Sequence, residues 1–567
     1  MIRPGLLAAM ISLQLQGQVH GQEPGAAAAT ALPPPIVHFE TVGPAGWVTQ
    51  ILPTTLGGLL ESEAGRKVWQ PAVQPLQQAW RQSFPDDAQG NGQSRRLLDY
   101  SGRIQLFVWS DSPAAGGQKA VLAALVLDGD GTTDLAALAA DLQQVLERLS
   151  PGITFQERDV IGQRLQVLDG GNGARITAPQ RDGNRLLVAF AQGGDLGAAF
   201  GRARAVPAPA AGGRARPLAP VCSIHVDLAQ VVAASLAGAE KADADRLVAL
   251  GLDSLGSLGF QVQAAGPHVM FELSQTFTGR ARGLFGGLFP EAAGLPSLLA
   301  LVQKDAVAWK VGRVDLAAIA GSVLAAVAAG SGEQLVEVRA RQRQDLGIDL
   351  VDDLLAHTSG EALVLGPTPA ALEGHAGGEA PGFVLALGLK DEAAFRRSFA
   401  TLMQRSARWL RCMAATDHDG VMISRYSGVF PGDTWVAIGR GIVVLAGGAA
   451  AEAGIAAVLD AQKQPVTGAP ALPPEFDALR PFATPGASGA AVVDLPALLL
   501  LQARGAFALL EPMLPDPLAG FDFRDADGDG VPDAVQELMP LLQRHQLDRV
   551  RAFSGCAAGR WALRLLW

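Results

Sequence analysis

The chain has 567 residues, a formal net charge of −10 and a hydrophobic fraction of 49%. The mean hydropathy of +0.21 excludes a wholly disordered chain, which would be poor in apolar residues. The excess of acidic residues argues against nucleic acid as a partner, because binding to phosphates needs a basic surface. At roughly 150 residues per domain, the length predicts about three or four domains.

The first 21 residues have the pattern of a secretory signal peptide. Arg3 supplies the positive start, residues 6–15 are apolar, and residues 19–21 offer a cleavage site. Residues 22–35, which end in three prolines, predict a stiff linker. We therefore expect an exported protein, either periplasmic or extracellular.

No segment after the signal peptide predicts a membrane-spanning helix. The longest uncharged stretch, residues 316–332, is mostly Ala and Gly and predicts a helix that faces the core. The chain has three widely spaced cysteines, Cys222, Cys412 and Cys556. They allow at most one disulfide within the chain, so stability should come from apolar cores.

Two parts of the chain share a pattern of strand, helix and further strands. In the first part, residues 124–127 predict an apolar strand, and Asp134 precedes a helix that ends at Leu149. Its further strands are predicted at residues 154–158, 164–168 and 185–191. The second part begins with a strand at Phe383–Leu387 and a helix after Asp391.

That second helix is predicted to include Phe395, Phe399, Leu402 and Trp409, and the strands after it are predicted at residues 420–426, 434–438 and 442–445. This order predicts an α+β fold of repeated strand-helix-meander modules. The sheets are expected to be split or ferredoxin-like, with helices on one face.

The tripeptide Val-Asp-Leu occurs three times at a predicted junction between a strand and a helix. Its aspartates are Asp227, Asp315 and Asp494. An aspartate at this position accepts hydrogen bonds from the first free N–H groups of the helix, which is worth about 1 kcal/mol. We expect three helix caps rather than three related ligand sites, because no second polar residue recurs at a fixed spacing.

Stretches rich in Pro, Ala and Gly predict two further linkers, at residues 204–220 and 463–486. The remaining chain predicts three α+β modules and a C-terminal segment. The predicted order is signal peptide 1–21, linker 22–35, module 36–203, linker 204–220, module 221–340, module 341–462, linker 463–486 and C-terminal segment 487–567.

Three further short segments, together with the Val-Asp-Leu junctions, form a sequence pattern that extends over much of the chain. They are Lys304–Val307, Leu346–Asp349 leading to Asp353–Leu355, and Gly360–Ala362. With these features, residues 100–567 resemble the uncharacterised families of secreted bacterial proteins built from repeated strand-helix modules. The resemblance implies export and a repeat architecture. It implies no activity and no catalytic residue.

An acidic loop near the C-terminus has the spacing of a calcium-binding loop. Oxygen donors recur at alternating positions, and Gly530 permits the sharp turn at the sixth position. The candidate ligands are Asp525, Asp527, Asp529, Val531 through its carbonyl, Asp533, and Gln536 or Glu537. The loop resembles those of EF-hand, dockerin and thrombospondin-type repeats. We expect Ca²⁺ to brace this loop and not to catalyse a reaction.

The end of the loop departs from the pattern. Gln536 stands at position 12, where a bidentate Glu is expected, and Glu537 follows it. Either Glu537 reaches the cation, or Gln536 gives one neutral oxygen and the affinity falls. Residues 522–537 contain six acids and one arginine, so charge repulsion favours a bound cation. The alternative is a solvated acidic loop that opens a helix.

Other candidate residues are expected to have structural roles. Residues 128–131 repeat part of the acidic pattern, but a helix cap within residues 132–134 explains them more simply than a metal. His418 stands between two aspartates and predicts a turn rather than a ligand. Asp352, Asp353 and Glu361 would be candidates for paired catalytic acids, but carboxylates are common at helix starts.

Tryptophan is concentrated near the N-terminus, at Trp47, Trp69, Trp80 and Trp109. We expect core anchors, with a surface for a carbohydrate or a protein partner as the alternative. The chain has no nucleophile elbow, no phosphate-binding loop, no zinc-protease motif and no dinucleotide fingerprint.

These features predict an exported, non-enzymatic protein that acts by binding or as a structural component of the cell envelope. Its partner would be a protein or a surface glycan. The competing class is a secreted hydrolase whose site residues converge only in the folded chain. Its oligomeric state stays open at this point.

Overall fold

The computed structural model describes most of the chain. It covers residues 34–62, 93–111, 120–149, 153–170, 173–206, 220–291, 294–303, 306–366, 382–406, 411–430, 432–448, 450–463, 486–497 and 547–566, with a few further residues between 472 and 483 and at 540–544. The chain divides into two compact units. Unit 1 contains residues 1–231 and 257–271, and unit 2 contains residues 232–256 and 272–567.

Unit 1 alternates between groups of helices and groups of strands. Its elements are β1 (Val37–Val42), α1 (Pro44–Ile51), α2 (Thr55–Glu61), α3 (Gln93–Asp99), β2 (Arg103–Asp111), β3 (Ala120–Asp128), α4 (Leu135–Leu149), β4 (Gln156–Val160), β5 (Gln163–Asp169), β6 (Ala174–Thr177), β7 (Gln180–Asp182), β8 (Arg185–Gln192), α5 (Leu196–Ala205) and β9 (Cys222–Asp227). Three elements have residues in both units, namely α6 (Leu228–Gly238), β10 (Leu255–Ala265) and β11 (His268–Phe277).

Unit 2 has the same alternation. Its elements are α7 (Lys241–Ala249), α8 (Gly283–Leu288), β12 (Ala308–Arg313), α9 (Leu316–Ser331), α10 (Leu335–Leu346), β13 (Thr358–Leu365), β14 (Phe383–Leu389), α11 (Glu392–Arg405), β15 (Arg411–His418), β16 (Val421–Phe430), β17 (Gly432–Gly439), β18 (Ile442–Gly447), α12 (Ala451–Ala461), β19 (Ala487–Asp494), β20 (Arg549–Ala557) and β21 (Arg560–Leu566). One turn of π-helix covers Leu350–Leu354.

Every strand pairing with a described register is antiparallel. In unit 1 the strand order is β10–β9–β1–β2–β3–β8–β6–β5–β4. In unit 2 the order β20–β19–β12–β13–β14–β18–β17–β16–β15 follows the same path through the chain. The outermost hairpins also match, because both turn on two residues with positive φ, Ile161-Gly162 and Asp419-Gly420.

Apolar side chains cover both faces of the central strands. In unit 1, Leu122 and Leu187 pack with Phe200 of α5, whereas Leu127 and Leu186 pack with Leu138 of α4. Neighbouring strand residues point to opposite faces, so the two helices lie on opposite sides of the sheet.

Unit 2 repeats this two-sided arrangement. Leu387 of β14 packs with Phe395 of α11. Val384, three residues earlier on the strand, lies against Gly454 of α12. The prediction of a mixed fold with helices and strands is therefore confirmed. The expectation of helices on one face is wrong, because long apolar strands such as β3 need cover on both faces.

The helix predicted at residues 316–332 is present as α9, most of whose residues are half-buried, and Leu316 packs against the apolar cluster around Phe395. Ala328 is its one buried residue, and the side chains of Val323 and Val327 are 45% and 52% exposed. No described helix alone is long and apolar enough to span a membrane. The pair α9 and α10, bent by 113°, meets the length and composition test when taken together.

The three Val-Asp-Leu aspartates cap helix starts, as predicted. Asp227 accepts a hydrogen bond from the Gln230 N–H at 3.0 Å, and Asp315 accepts one from Ala318 at 2.9 Å. Asp494 accepts one from Ala497 at 3.0 Å. Each carboxylate therefore satisfies a backbone donor that the helix leaves free.

Candidate functional site

The acidic loop predicted to bind calcium lies outside the described residues. Its candidate ligands are Asp525, Asp527, Asp529, Val531, Asp533, Gln536 and Glu537. The calcium site therefore stays a prediction from sequence.

The shorter acidic segment of unit 1 is a closed turn. Asp130 Oδ1 accepts hydrogen bonds from the backbone N–H groups of Thr132 at 2.9 Å and Thr133 at 2.7 Å, and Oδ2 accepts the Ser101 hydroxyl at 2.9 Å. Burial raises the pKa of the Asp130 carboxyl, but the hydrogen bonds from Thr133, Thr132 and Ser101 outweigh burial and lower it well below its usual range. Asp134 caps α4 through the Ala136 N–H at 2.9 Å. The structural role expected for residues 128–134 is confirmed.

Asp128 is a buried carboxylate of unit 1 with a raised pKa, which is the kind of group that a hydrolase uses as a general acid. Its exposed fraction is 5%, and desolvation raises the pKa of its carboxyl although Arg185 and Arg103 oppose the shift. Its Oδ1 lies 3.1 Å from Arg185 Nε, and Arg185 is itself buried. The buried ion pair with Arg185 gives Asp128 a structural contact within unit 1.

The acids considered as a catalytic pair in unit 2 are engaged in separate structural contacts. Asp352 lies 2.5 Å from the Arg339 guanidinium, and Asp353 accepts a hydrogen bond from the Asp349 N–H at 2.8 Å. Glu361 accepts hydrogen bonds from the backbone N–H and the hydroxyl of Ser297 at 2.9 and 2.6 Å. Each of these carboxylates therefore has a different hydrogen-bond or ion-pair partner within unit 2.

A cluster around His418 is the group of possible metal ligands among the described residues. It contains His418, Asp419 and Asp460, whose donor atoms lie within 4.8 Å of one another. His418 Nε2 is 3.0 Å from Asp460 Oδ1, and the Lys463 ammonium binds both carboxylates. Hydrogen bonds from Lys463 lower the pKa of Asp419 and Asp460. Because a lysine of the chain already neutralises this exposed cluster, it is better explained as a surface ion-pair network than as a metal site.

A polar patch lies on one face of the unit 1 sheet. His38 of β1 stands directly opposite His225 of β9. Its ring stacks on Phe107 at 4.4 Å, and its Nε2 lies 3.4 Å from the Gln105 amide and 3.9 Å from Glu40. Burial lowers the pKa of His38 although Glu40 opposes the shift. Among the described residues, these partners include no hydroxyl or thiol that the imidazole could activate as a nucleophile.

The opposite face of the same strands presents apolar side chains to solvent. Phe39 of β1 pairs with Ile224 of β9, and Ile224 pairs with Phe260 of β10, so the three side chains form one row. Ile224 is 37% exposed and Phe260 is 36% exposed. We call this row, together with Trp47, the apolar face of unit 1.

Trp47 extends the apolar face beyond the row. Its indole Nε1 donates to Thr41 Oγ1 at 2.8 Å, and Thr41 lies two residues after Phe39 on the same face of β1. The Trp47 side chain is 36% exposed. The hydrogen bond fixes one end of a large aromatic side chain whose remaining surface is available for contact.

The expectation of core anchors therefore holds for one of the two described tryptophans in this part of the chain. Trp109 is 4% exposed and belongs to the core of unit 1, which confirms the core role for this residue. Trp69 and Trp80 lie outside the described residues. The sequence did not reveal Ile224 and Phe260, because their position beside Phe39 depends on pairing between distant strands. The alternation of polar and apolar residues from Ile36 to Val42 was the available local signal.

Comparison with protein-family models, with curated proteins and with solved structures found no match to this chain.

Proposed function

We propose that this chain is an exported, non-enzymatic binding protein that holds its partner on the apolar face of unit 1. The observation that carries the proposal is the row Phe39, Ile224 and Phe260 beside Trp47, in which Phe39 is half-buried and the other three side chains are exposed. A row of large apolar side chains on a sheet face is typical of a contact surface, because leaving it in water costs free energy. The partner is a protein or a surface glycan of the cell envelope, and an aromatic surface suits both.

We propose a non-enzymatic role because of the contacts that the described ionisable residues make. Asp128, Asp352, Asp353 and Glu361 each contact an arginine or a backbone donor. The raised pKa of Asp128 is the one feature that favours the hydrolase alternative. Its burial against Arg185 weighs against that alternative, because a general acid must reach its substrate.

We also infer that the two units descend from one strand-helix module that was duplicated. Support comes from the shared order of nine strands and from helices on both faces of each sheet. The helices after β3 and β14 are capped by Asp134 and Asp391 at corresponding positions.

The binding proposal predicts that changes in the apolar face reduce adsorption to cell envelopes. The full chain should sediment with envelopes of the organism that encodes it, and the double variant Trp47→Ala/Phe260→Ala should lose most of that binding. Ile161→Ala is the matched control, because Ile161 is an apolar side chain of unit 1 that is 57% exposed on the β4–β5 turn. Protease treatment of the envelopes should abolish binding to a protein, and periodate should abolish binding to a glycan. Equal loss in the control variant would contradict the proposal.

The proposal includes a calcium ion bound by the acidic loop at residues 525–537. The spacing of the candidate ligands and the concentrated negative charge of the loop support this site. Isothermal titration with CaCl₂ should give a dissociation constant of about 10⁻⁴ to 10⁻³ M, the range of extracellular modules. Asp527→Ala/Asp529→Ala should remove the heat. Asp130→Ala, in the shorter acidic segment, should leave it unchanged. No heat with the original chain would refute the calcium site.

A further inference from the structure

Each sheet ends in an outer strand with one paired neighbour among the described residues. In unit 1 this strand is β4, which pairs with β5, and in unit 2 it is β15, which pairs with β16. An outer strand presents free N–H and C=O groups along one side. Proteins commonly protect such strands from unwanted pairing by charged side chains.

The two outer strands differ in this protection. In β4, three of five residues are charged, namely Glu157, Arg158 and Asp159. In β15, the five residues from Cys412 to Thr416 carry no charge. Because the two strands occupy the same place in sheets of the same strand order, the missing protection is specific to β15.

The unprotected strand is also open to solvent. All residues of β15 except His418 are exposed, and the Met413 side chain is 61% exposed. Pairing with β16 is irregular between Cys412 and Ala414 and regular from Ala414 to His418. A regular run of five residues therefore has one side available for a further strand.

The charges at the two ends of β15 complement each other in an antiparallel self-pair. Arg411 lies at the start of the strand, and Asp417 lies near its end. When two copies of β15 run antiparallel, the basic end of each strand lies beside the acidic end of the other. Opposite charges across a strand pair are stabilising. The same arrangement is closed by a two-fold axis, which makes a dimer and not a filament.

We propose that β15 is a dimerisation strand, through which two copies of this chain join their unit 2 sheets edge to edge. The pairing continues the antiparallel order of the sheet and covers the uncharged centre of the strand, Cys412 to Thr416. In the register that sets Arg411 opposite Asp417, the two-fold axis passes through Ala414. The two copies of Ala414 therefore lie close together, which makes that position sensitive to charge. This inference is independent of the partner proposed for the apolar face of unit 1.

Sedimentation velocity of the full chain across a wide range of concentrations tests the proposal. The original chain should change reversibly from monomer to dimer as the concentration rises. Ala414→Lys should abolish the dimer, because two ammonium groups would meet at the centre of the pair. Gln156→Lys, at an exposed position of β4, is the matched control and should leave the dimer unchanged.

A charge exchange distinguishes self-pairing from binding of another protein. Arg411→Asp and Asp417→Arg should each weaken the dimer, and the double variant should restore it, because the two charges then meet again with their signs exchanged. Asp417 also accepts a hydrogen bond from the Gly420 N–H, so circular dichroism must show that each variant is folded. A folded double variant that stays monomeric would overturn the proposal.

Cys412 gives an independent measurement, because its thiol is exposed on β15 while Cys222 and Cys556 are partly or fully buried. The rate at which a thiol reagent modifies Cys412 should fall severalfold as the dimer forms. In Ala414→Lys the rate should stay high at every concentration. A dimer that forms without protecting Cys412, or no dimer at any concentration, would refute the role of β15.

Discussion

Replacing Glu272 by Gln is expected to destabilise unit 2 by about 3 kcal/mol, because it removes one charge from a buried ionic cluster. Glu272 lies on β11 and is 1% exposed. Its two carboxylate oxygens accept hydrogen bonds from Arg560 and Arg564 of β21, both at 2.6 Å. The amide of Gln has one acceptor oxygen, so one guanidinium would face an NH₂ group and lose its partner. Urea denaturation followed by tryptophan fluorescence measures the loss.

Arg560→Gln is the matched control for this cluster. The Arg560 side chain is 53% exposed, so solvent screens its interaction with Glu272. In this variant Glu272 keeps its contact with Arg564, whose side chain is 23% exposed. We expect a loss of about 1 kcal/mol. Equal losses in the two variants would show that burial of Glu272 does not set the size of the effect.

Local signals predicted many of the elements that surround these sites. The predicted helix from Asp134 to Leu149 agrees with α4, because its apolar residues recur at helical spacing and an aspartate caps its start. Strands β8, β14, β17 and β18 were predicted because they are short apolar runs between turns. In each case the information lies within about 15 residues of sequence, where propensity, periodicity and capping act together.

Strand β15 could not be predicted from such local signals. Its residues are exposed on both faces, so the apolar alternation that reveals a strand is missing. The predicted helix was extended to Trp409 instead, whereas the described part of α11 ends at Arg405. The one local sign of the hairpin was Asp419-Gly420, a dipeptide that suits a two-residue turn with positive φ.

The candidate sites depend mostly on contacts between distant residues. Glu272 and Arg560 are separated by 288 positions, and Phe39 meets Ile224 only because β1 pairs with β9. A single sequence gives no signal for such pairings, because sheet register is decided by packing of the whole fold. The calcium loop is different in kind, since its ligands would come from one short segment. It could be predicted from sequence alone, and titration will test it.

Replacing Asp349 by Ala should cost about 3 kcal/mol at neutral pH, because it removes a helix cap and half of a buried ion pair. The Asp349 side chain is 4% exposed. Its Oδ1 accepts the backbone N–H groups of Val351 and Asp352 at 3.0 and 3.2 Å, which fixes the start of the π-helical turn. Its Oδ2 lies 2.8 Å from the Arg339 guanidinium. Alanine would leave these donors without an acceptor in a site that water reaches poorly.

The pH dependence separates this electrostatic contribution from a loss of packing. Desolvation raises the pKa of Asp349, but hydrogen bonds from Arg339 and the Asp352 N–H outweigh it and lower the pKa below the ordinary 3.8. The carboxylate therefore stabilises the fold above about pH 4, and this contribution is lost as the pH falls through the lowered pKa of the folded state. The difference between the original chain and Asp349→Ala should shrink in acid. Asp352→Ala, whose side chain is 61% exposed, should cost less than about 1 kcal/mol, and a difference for Asp349 that is constant with pH would exclude the ionic role.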